Sequence, residues 1–224
     1  MPLIIILVEC GLELIPKNIR NHSAVQKNLS SGIYSSQLLD NALHFSAMKN
    51  LKNFEKRGRP DITQVCLLNA LGSPLNKTGN LKIYIHTIHN KIFEFNPKIR
   101  IARNYNRFKG LMAKMLIDGN IETETSKLIV PFKGNLKELL DEFDNPEVYL
   151  FSSKGKLMTN YKDFFIEDLT KNYIAIIGGF QKSSFSNNII NLSENLISIS
   201  HHSLDAWVVI NRIITYYELT NRIH

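Results

Sequence analysis

The sequence is poor in cysteine, with only Cys10 and Cys66 among 224 residues. Two thiols cannot form a framework of disulfides, so we expect a protein of a reducing compartment. Both lie in apolar stretches, which favours buried structural thiols over a catalytic nucleophile. The apolar run at 2–8 is far too short to cross a bilayer and predicts a buried strand. We therefore expect no membrane partner.

The sequence also lacks the short motifs of several common enzyme classes. No Gly-x-Ser-x-Gly, Walker or Gly-x-Gly-x-x-Gly pattern occurs, so the usual signatures of hydrolases, nucleotide triphosphatases and dinucleotide-binding enzymes are absent. Among the histidines, His86 and His89 would point to opposite faces of an extended chain. His201 and His202 have no cluster of Cys or carboxylates spaced for zinc. We predict no metal site.

Positive charge is abundant but unevenly distributed. The formal net charge is +7, and the segment 77–109 alone carries eight basic residues and one acid. Residues 49–61 are also basic, whereas 110–150 are net acidic. A segregated basic surface suggests a polyanion, most simply nucleic acid, and the alternative is a solvated face without a partner. Five aromatic residues interleave with this charge, and their spacing favours core positions for most of them: Tyr84, Phe93, Phe95, Tyr105 and Phe108.

The turn at 56–61, Lys-Arg-Gly-Arg-Pro-Asp, is the most informative local motif. Gly58 lets the backbone come close to a partner, and Asp61 can hold an Arg fork in one orientation through charge-assisted hydrogen bonds. An oriented guanidinium is a good reader of phosphate or of a base edge. The alternative is a solvated basic turn before a helix, with Asp61 as the N-cap residue.

Hydrophobic periodicity predicts an α/β fold with a mainly parallel, covered sheet, because strands alternate with helices in the second half. An Asn- and Ser-rich loop is expected at 18–32. The predicted strands are 3–9, 81–87, 91–95, 147–151, 173–177 and 196–199, with 81–87 and 91–95 as a hairpin. The predicted helices are 37–54, 61–71, 104–117, 135–143, 159–169 and 203–219.

Three predicted strands end in polar or Gly-rich segments, at 151–155, 176–180 and 198–204. Ligands of parallel sheets bind beyond the carboxyl ends of the strands, and a Gly pair permits close approach of the backbone. A Gly pair by itself marks a simple turn about as often as it marks a ligand-binding loop. Three such segments in one half of the chain together predict a small-molecule site.

An ordered set of motifs resembles a known family over nearly the whole chain. The motifs are Leu12–Pro16, Arg57–Asp61, Ser73–Lys77, Tyr84–Thr87, Arg103–Phe108 with Gly110–Met112, Ile176–Phe180 and Leu204–Val208. Together they closely resemble the ribosome-biogenesis pseudouridine methyltransferases of the SPOUT superfamily, in an archaeal-like form.

The resemblance implies a single domain over 1–224 with an α/β fold. Its SPOUT-type parallel sheet would carry a deep trefoil knot in the C-terminal half, and a basic extension would lie roughly within 33–125. The knot would bind S-adenosylmethionine. The chain would form a homodimer, and the RNA would cross the boundary between its two subunits. A cytoplasmic location is expected, or a nucleolar one in a eukaryote, with other small-subunit assembly factors as further partners.

The implied reaction is methylation of ring nitrogen N(1) of a pseudouridine in small-subunit ribosomal RNA. This nitrogen is itself the nucleophile, so no catalytic Cys is required. Two alternatives remain open: a non-catalytic RNA-binding assembly factor, and a SPOUT enzyme that acts on another RNA position.

The resemblance also implies site residues. The expected cofactor contacts are Ser152, Gly178, Gly179, Ser183, Ile199, Ser200, His201, His202, Ser203 and Leu204. The expected RNA contacts are Arg57, Arg59, Arg100, Arg103 and Arg107. We expect Arg59 to hold the RNA near the target and Asp61 to orient Arg59, with general-base catalysis by Asp61 as a second hypothesis. Trp207 is expected in the core or a dimer interface.

The chain departs from the family pattern in two places. Gly179-Phe180 continues with Gln181 where the family often has Pro, which could alter cofactor affinity. Lys98, Ile101 and Ala102 replace the usual acidic and Pro residues near Arg100, which could alter RNA contacts.

Overall fold

The computed structural model describes residues 3–167 and 170–224, which form one eight-stranded sheet with helices on both faces. The strands are β1 (Leu3–Cys10), β2 (Leu81–Thr87), β3 (Ile92–Phe95), β4 (Ile121–Glu122), β5 (Lys127–Phe132), β6 (Glu147–Leu157), β7 (Tyr173–Gly178) and β8 (Leu196–Ser198). Their order is β4-β5-β3-β2-β1-β7-β6-β8. Five neighbouring strands run parallel, in the order β2, β1, β7, β6 and β8. Beyond β2 the sheet continues with the antiparallel strands β3, β5 and β4. The predicted mainly parallel α/β fold and the β2–β3 hairpin are confirmed.

The helices of the described residues are α1 (Ser23–Gln26), α2 (Asn41–Met48), α3 (Pro60–Gly72), α4 (Pro74–Lys77), α5 (Tyr105–Asp118), α6 (Leu136–Asp141), α7 (Asn187–Ile190) and α8 (Ala206–Asn221). Helices α3, α5 and α8 cover one face of the sheet, and α6 and α7 cover the other. Strand β1 is buried on both faces, which explains its unbroken apolar run. One face carries Leu3, Ile5 and Leu7, and the other carries Ile4, Ile6 and Val8. No helix of these described parts is long and apolar enough to cross a membrane.

Several predicted boundaries are wrong. The helix expected over 37–54 is only α2, because Asp40 caps it by accepting a hydrogen bond from the Ala42 amide, and the chain turns through a left-handed Asn53. The loop expected at 18–32 contains the short α1, and α8 begins at Ala206 rather than at 203. Strands β4 and β5, which were not predicted, extend the sheet at its antiparallel edge.

The helix predicted for 159–169 is also wrong for the described residues. Only Tyr161–Asp163 form a single 3-10 turn, and 168–169 lie outside the described residues. Phe164 and Phe165 are both buried, and their rings contact those of Tyr173 and Tyr216 on neighbouring elements. Burial of two consecutive rings suits an irregular segment better than a helix, since neighbouring helix positions do not share a face.

Asp61 does not cap α3. The helix begins at Pro60 with Arg59 as the N-cap residue, so Asp61 is the second helical position. Proline is favoured at the first position because its fixed φ suits the helix and its missing N–H would be unpaired there anyway. A carboxylate in the first turn still interacts favourably with the helix dipole. The Asp61 side chain is thereby free to contact Arg59.

Strand β6 pairs with β8 twice. Phe151 and then Lys156 both lie opposite Ile197, because the register of β6 against β8 shifts over the residues between them. Gly155 makes this possible, since a Cβ at that position would lie 2.4 Å from the Ile197 backbone nitrogen. The close passage brings the carboxyl end of β8 beside the residues that leave β6. The trefoil knot and the division into one domain stay predictions.

Candidate active site

A cleft of about 190 Å³ lies beside the middle of β6 and the ends of β7 and β8. All three polar or Gly-rich segments contribute to its walls. The segments 176–180 and 198–204 run past the ends of β7 and β8 as predicted, but 151–155 is not a strand exit, because β6 continues to Leu157. Eight of the ten predicted cofactor residues line it: Ser152, Gly178, Ser183, Ile199, Ser200, His202, Ser203 and Leu204. The structure thus brings together segments that are up to about fifty residues apart in the chain.

The other two predicted cofactor residues do not line the cleft. The Gly179 amide donates to the Val8 carbonyl at 2.8 Å, and a Cβ on Gly179 would lie 2.2 Å from the Cys10 sulfur. Gly179 therefore lets the loop pack against the end of β1, behind the cleft. His201 is exposed to solvent beside the lining residue His202.

The walls combine apolar side chains with many hydroxyls. Seven serines line the cleft: Ser152, Ser153, Ser183, Ser184, Ser198, Ser200 and Ser203. Phe180, Phe185 and Trp207 also line it and were not predicted as site residues. Phe180 directly follows the Gly pair and could have been inferred, but nothing in the sequence marks Phe185. Trp207 is half-buried, lines the cleft and packs against the main core cluster, and its place in a dimer interface stays a prediction.

The basic turn reaches the same cleft through Arg59. Its guanidinium binds Asp61 at both oxygens, with Nε–Oδ1 at 2.8 Å and Nη2–Oδ2 at 2.6 Å. This pair raises the pKa of Arg59 and fixes the plane of the guanidinium. The Arg59 amide donates to the Gly11 carbonyl at 3.2 Å, an approach that a side chain at Gly11 would block.

Asp205 is the one acidic residue among those that line the cleft. It precedes α8, and its carboxylate makes no hydrogen bond or ion pair to a described residue. Asp61 raises the pKa of Arg59 most, and Tyr105 and then Asp205 add smaller contributions, so two carboxylates act on one guanidinium. Sequence reasoning missed this residue although it lies within the Leu204–Val208 motif.

Part of the basic charge counted in the sequence is committed to internal ion pairs. Arg57 Nε binds Glu13 Oε1 at 2.7 Å, and Glu13 raises the pKa of Arg57. Lys109 is buried and binds Asp40 at 3.0 Å. Arg57 thus faces a carboxylate and not open solvent, and its predicted contact with RNA stays a prediction.

Arg100, Arg103 and Arg107 are exposed and surround the start of α5. Asn104 caps this helix by accepting a hydrogen bond from the Arg107 amide at 3.1 Å. Gln64 of α3 donates to the carbonyls of Ala102 and Arg103 at 2.8 and 3.1 Å, which ties the segment to the helix that begins at Arg59. Free N–H groups and positive charge at a helix start favour phosphate.

The remaining candidates are structural. Tyr84, Phe93, Phe95 and Phe108 are buried, and Tyr105 donates its hydroxyl to Asp40, so the core interpretation of the aromatics is confirmed. Both cysteines are buried, which raises the pKa of the Cys10 thiol to about 12 and that of Cys66 well above its usual range. Neither thiol is a nucleophile in this state. The described residues contain no group of three potential metal ligands.

Comparison with known proteins identifies the family. The sequence model of the EMG1/NEP1 methyltransferase family matches residues 5–218. The chain belongs to this family. It is 41% identical to the ribosomal RNA small subunit methyltransferase Nep1 of Staphylothermus marinus over 95% of this chain and 94% of that protein. The Nep1 of Saccharolobus solfataricus is 38% identical, with 95% of each chain covered.

A solved structure of the family has the same fold. The crystal structure of Archaeoglobus fulgidus Nep1 bound to S-adenosylhomocysteine aligns with a TM-score of 0.85 and 31% identity, over 100% of both chains. The EMG1/NEP1 fold thus extends over the whole described chain, and the resemblance derived from the motifs is confirmed.

Proposed function

We propose that the chain methylates ring nitrogen N(1) of a pseudouridine in small-subunit ribosomal RNA, with S-adenosylmethionine as the methyl donor. The observation that carries this proposal is the position of Arg59. Its guanidinium, fixed by Asp61, lines the same cleft as the three strand exits. A phosphate- or base-binding group therefore stands beside a small-molecule site. The relatives named as small-subunit methyltransferases support the same reaction.

The cleft fits S-adenosylmethionine by its chemistry. Phe151, Ile177 and Ile197 supply apolar walls for a purine, and the serine hydroxyls and loop backbone supply partners for polar groups. Gly178 allows the backbone to approach a ligand closely. When bound, the cofactor supplies an electrophilic methyl group. Residues 151–153 of β6 and the loops after β7 and β8 would hold it, with Gly179 supporting the loop after β7 from behind.

On the RNA side, Arg59 would hold the target nucleotide and Asp61 would keep Arg59 in one orientation. Arg100, Arg103 and Arg107 are exposed and would bind phosphates of the surrounding loop. Methyl transfer then depends mainly on placing the nitrogen in line with the methyl group, because no covalent intermediate with the protein is needed. The buried thiols agree with such a mechanism.

The N(1) proton must leave the ring during the reaction. Both oxygens of Asp61 accept hydrogen bonds from Arg59, so both are already engaged by the guanidinium. Asp205 lines the cleft without such a partner. We therefore assign the proton acceptor to Asp205 and an orienting role to Asp61.

Two further features are part of the proposal. A trefoil knot is supported by membership of the family and by the close packing of Gly155 of β6 against the backbone of Ile197 in β8. A homodimer is supported by α8, which leaves Val208 half-buried and Leu219 53% exposed, an apolar area that a second subunit would cover. The enzyme would act in the cytoplasm, beside other factors, during assembly of the small subunit.

The deciding experiment combines the protein with labelled S-adenosylmethionine and two short RNA loops, with pseudouridine or uridine at the target. Methyl incorporation into the pseudouridine loop alone is expected. Incorporation into both loops would overturn the N(1) assignment. Tight RNA binding without incorporation would indicate an assembly factor instead. Arg59→Ala should weaken RNA binding and leave the affinity for S-adenosylhomocysteine unchanged, and loss of both affinities would contradict the role given to Arg59.

A further inference from the structure

We propose that Glu9 and Lys56 are positioning residues that hold the cofactor loop and the RNA-binding turn in a fixed mutual arrangement. The cofactor loop is defined as residues 178–186 and the RNA-binding turn as 56–61. The inference rests on the function proposed above. Neither residue lines the cleft, so their effect on the reaction would pass through the two segments that they join.

The two side chains form a buried ion pair. Lys56 Nζ lies 2.7 Å from Glu9 Oε2, and the side chains are only 7% and 10% exposed. Removing two charges from water is costly, and a buried pair often stabilises a protein no better than apolar residues of the same size. The pair therefore invites an explanation beyond stability, and its contacts supply one.

The pair touches the cofactor loop at both ends. The Lys56 ammonium lies 4.7 Å from the centre of the Phe180 ring, and Glu9 Oε2 accepts a hydrogen bond from the Ser186 amide at 3.3 Å. Between these two contacts the loop lines the cleft through Gln181, Ser183, Ser184 and Phe185, in addition to Phe180. The pair thus fixes the loop segment that forms one wall of the cleft.

The pair also belongs to the RNA-binding turn. Lys56 is three residues before Arg59. Its carbonyl oxygen packs against Gly11 so closely that an added Cβ on Gly11 would lie 2.6 Å from it. The turn is therefore packed directly on the segment that follows Glu9. A shift of Lys56 would move the backbone that carries Arg59.

Glu9 is itself held firmly in place. Its φ is +53°, a left-handed conformation that is uncommon for a residue with a side chain. Its amide donates to His86 Nδ1 of β2 at 3.1 Å. A backbone held in a rare conformation indicates a position that the surrounding structure determines strongly. Glu9 thus connects the central sheet, the turn and the loop.

The pair between Lys109 and Asp40 is a matched control. Its side chains are 7% and 5% exposed and 3.0 Å apart, so the chemistry and burial are nearly the same. Its partners lie on α5 and at the start of α2, where the Asn41 amide donates to the Gly58 carbonyl of the RNA-binding turn at 2.8 Å, so the control pair adjoins that turn but lies away from the cofactor loop. Lys56→Met and Lys109→Met should therefore lower the unfolding temperature similarly and differ in their effect on the site.

The test measures kcat at saturating cofactor and pseudouridine RNA, and the affinity for S-adenosylhomocysteine with and without the RNA. For Lys56→Met and Glu9→Gln we expect kcat to fall at least about 10-fold, since a misplacement of about 1 Å costs up to about 100-fold. The dissociation constants of S-adenosylhomocysteine alone and of the RNA alone should each change by less than about 3-fold. The factor by which bound RNA changes the affinity for S-adenosylhomocysteine should approach 1. Lys109→Met should keep both kcat and that factor.

The double variant K56M/E9Q removes the unpaired buried charge that each single change leaves behind. It should recover unfolding temperature relative to Lys56→Met but should not recover kcat. Recovery of both the unfolding temperature and kcat in the double variant would overturn the proposal. A loss of kcat in Lys109→Met equal to that in Lys56→Met would also overturn it. So would wild-type kcat and coupling in Lys56→Met. If the unchanged protein does not methylate RNA, the proposed function fails, whereas the binding coupling still tests the positioning role.

Discussion

The passage of β8 alongside β6 predicts that Gly155→Ala is strongly destabilising. The added Cβ would lie 2.4, 2.5 and 2.6 Å from the nitrogen, carbonyl carbon and Cα of Ile197. Because these are backbone atoms, they cannot rotate away, and the strands must separate by about 1 Å to restore normal contact. Overpacking costs about 1–3 kcal/mol, and weakened ladder hydrogen bonds add about 1 kcal/mol each. We expect a loss of about 4 kcal/mol.

For a chain of this size, 1 kcal/mol corresponds to roughly 2–4 °C in Tm, so Gly155→Ala should melt about 8–16 °C lower at a fixed scan rate. Its affinity for S-adenosylhomocysteine should fall too, since neighbouring Ser152 and Ser153 line the cleft. Gly72→Ala is the control, because Gly72 ends α3 with no atom within 4 Å of an added Cβ. That change should stabilise by about 0.5–1 kcal/mol. A Gly155→Ala protein with Tm and affinity close to wild type would refute the close passage.

Three further predictions concern pH, proton transfer and salt. Burial lowers the pKa of His86 and His44 in the folded protein, so on acidification these imidazoles are protonated in the unfolded chain first. The Tm should therefore fall from pH 7 to pH 5, and His86→Asn should reduce that fall. A Tm that rises over this range would contradict the argument. Asp205→Asn should lower kcat at least about 100-fold and leave the affinity for S-adenosylhomocysteine unchanged, and an unchanged kcat would exclude proton transfer to Asp205. Arg107→Ala should lower the slope of log K against log salt for RNA binding by about 1, and an unchanged slope would contradict a phosphate contact by this exposed side chain.

The sequence was most informative where pattern and packing agree. The parallel strands and the exits of β7 and β8 were predictable, because a covered parallel sheet needs apolar strands and gathers its loops at the carboxyl edge. The continuation of β6 through the polar residues 152–156 was not. Boundaries set by a single side chain were not. The Asp40 cap shortens α2, and burial of Phe164 and Phe165 replaces an expected helix. Both depend on tertiary contacts that local periodicity does not contain.

The site was predictable to a similar degree. Residues in strand exits were found, because their position follows from the strands. Phe185 and Asp205 were missed, since their place in the cleft depends on how the loop and α8 pack. The pairing of Arg59 with Asp61 was expected from their spacing. The pairing of Lys56 with Glu9 joins residues 47 positions apart and has no local signal.

The basic turn shows why counted charge is a poor guide to an RNA surface. Lys56, Arg57 and Arg59 each bind a carboxylate, from Glu9, Glu13 and Asp61 in turn. Three cations of the turn are thereby neutralised within the protein, and they hold the turn in place more than they attract phosphate. Long-range attraction must come from exposed cations such as those around the start of α5. The turn can then provide geometry, with one oriented guanidinium at the cleft, while α5 provides most of the electrostatic affinity.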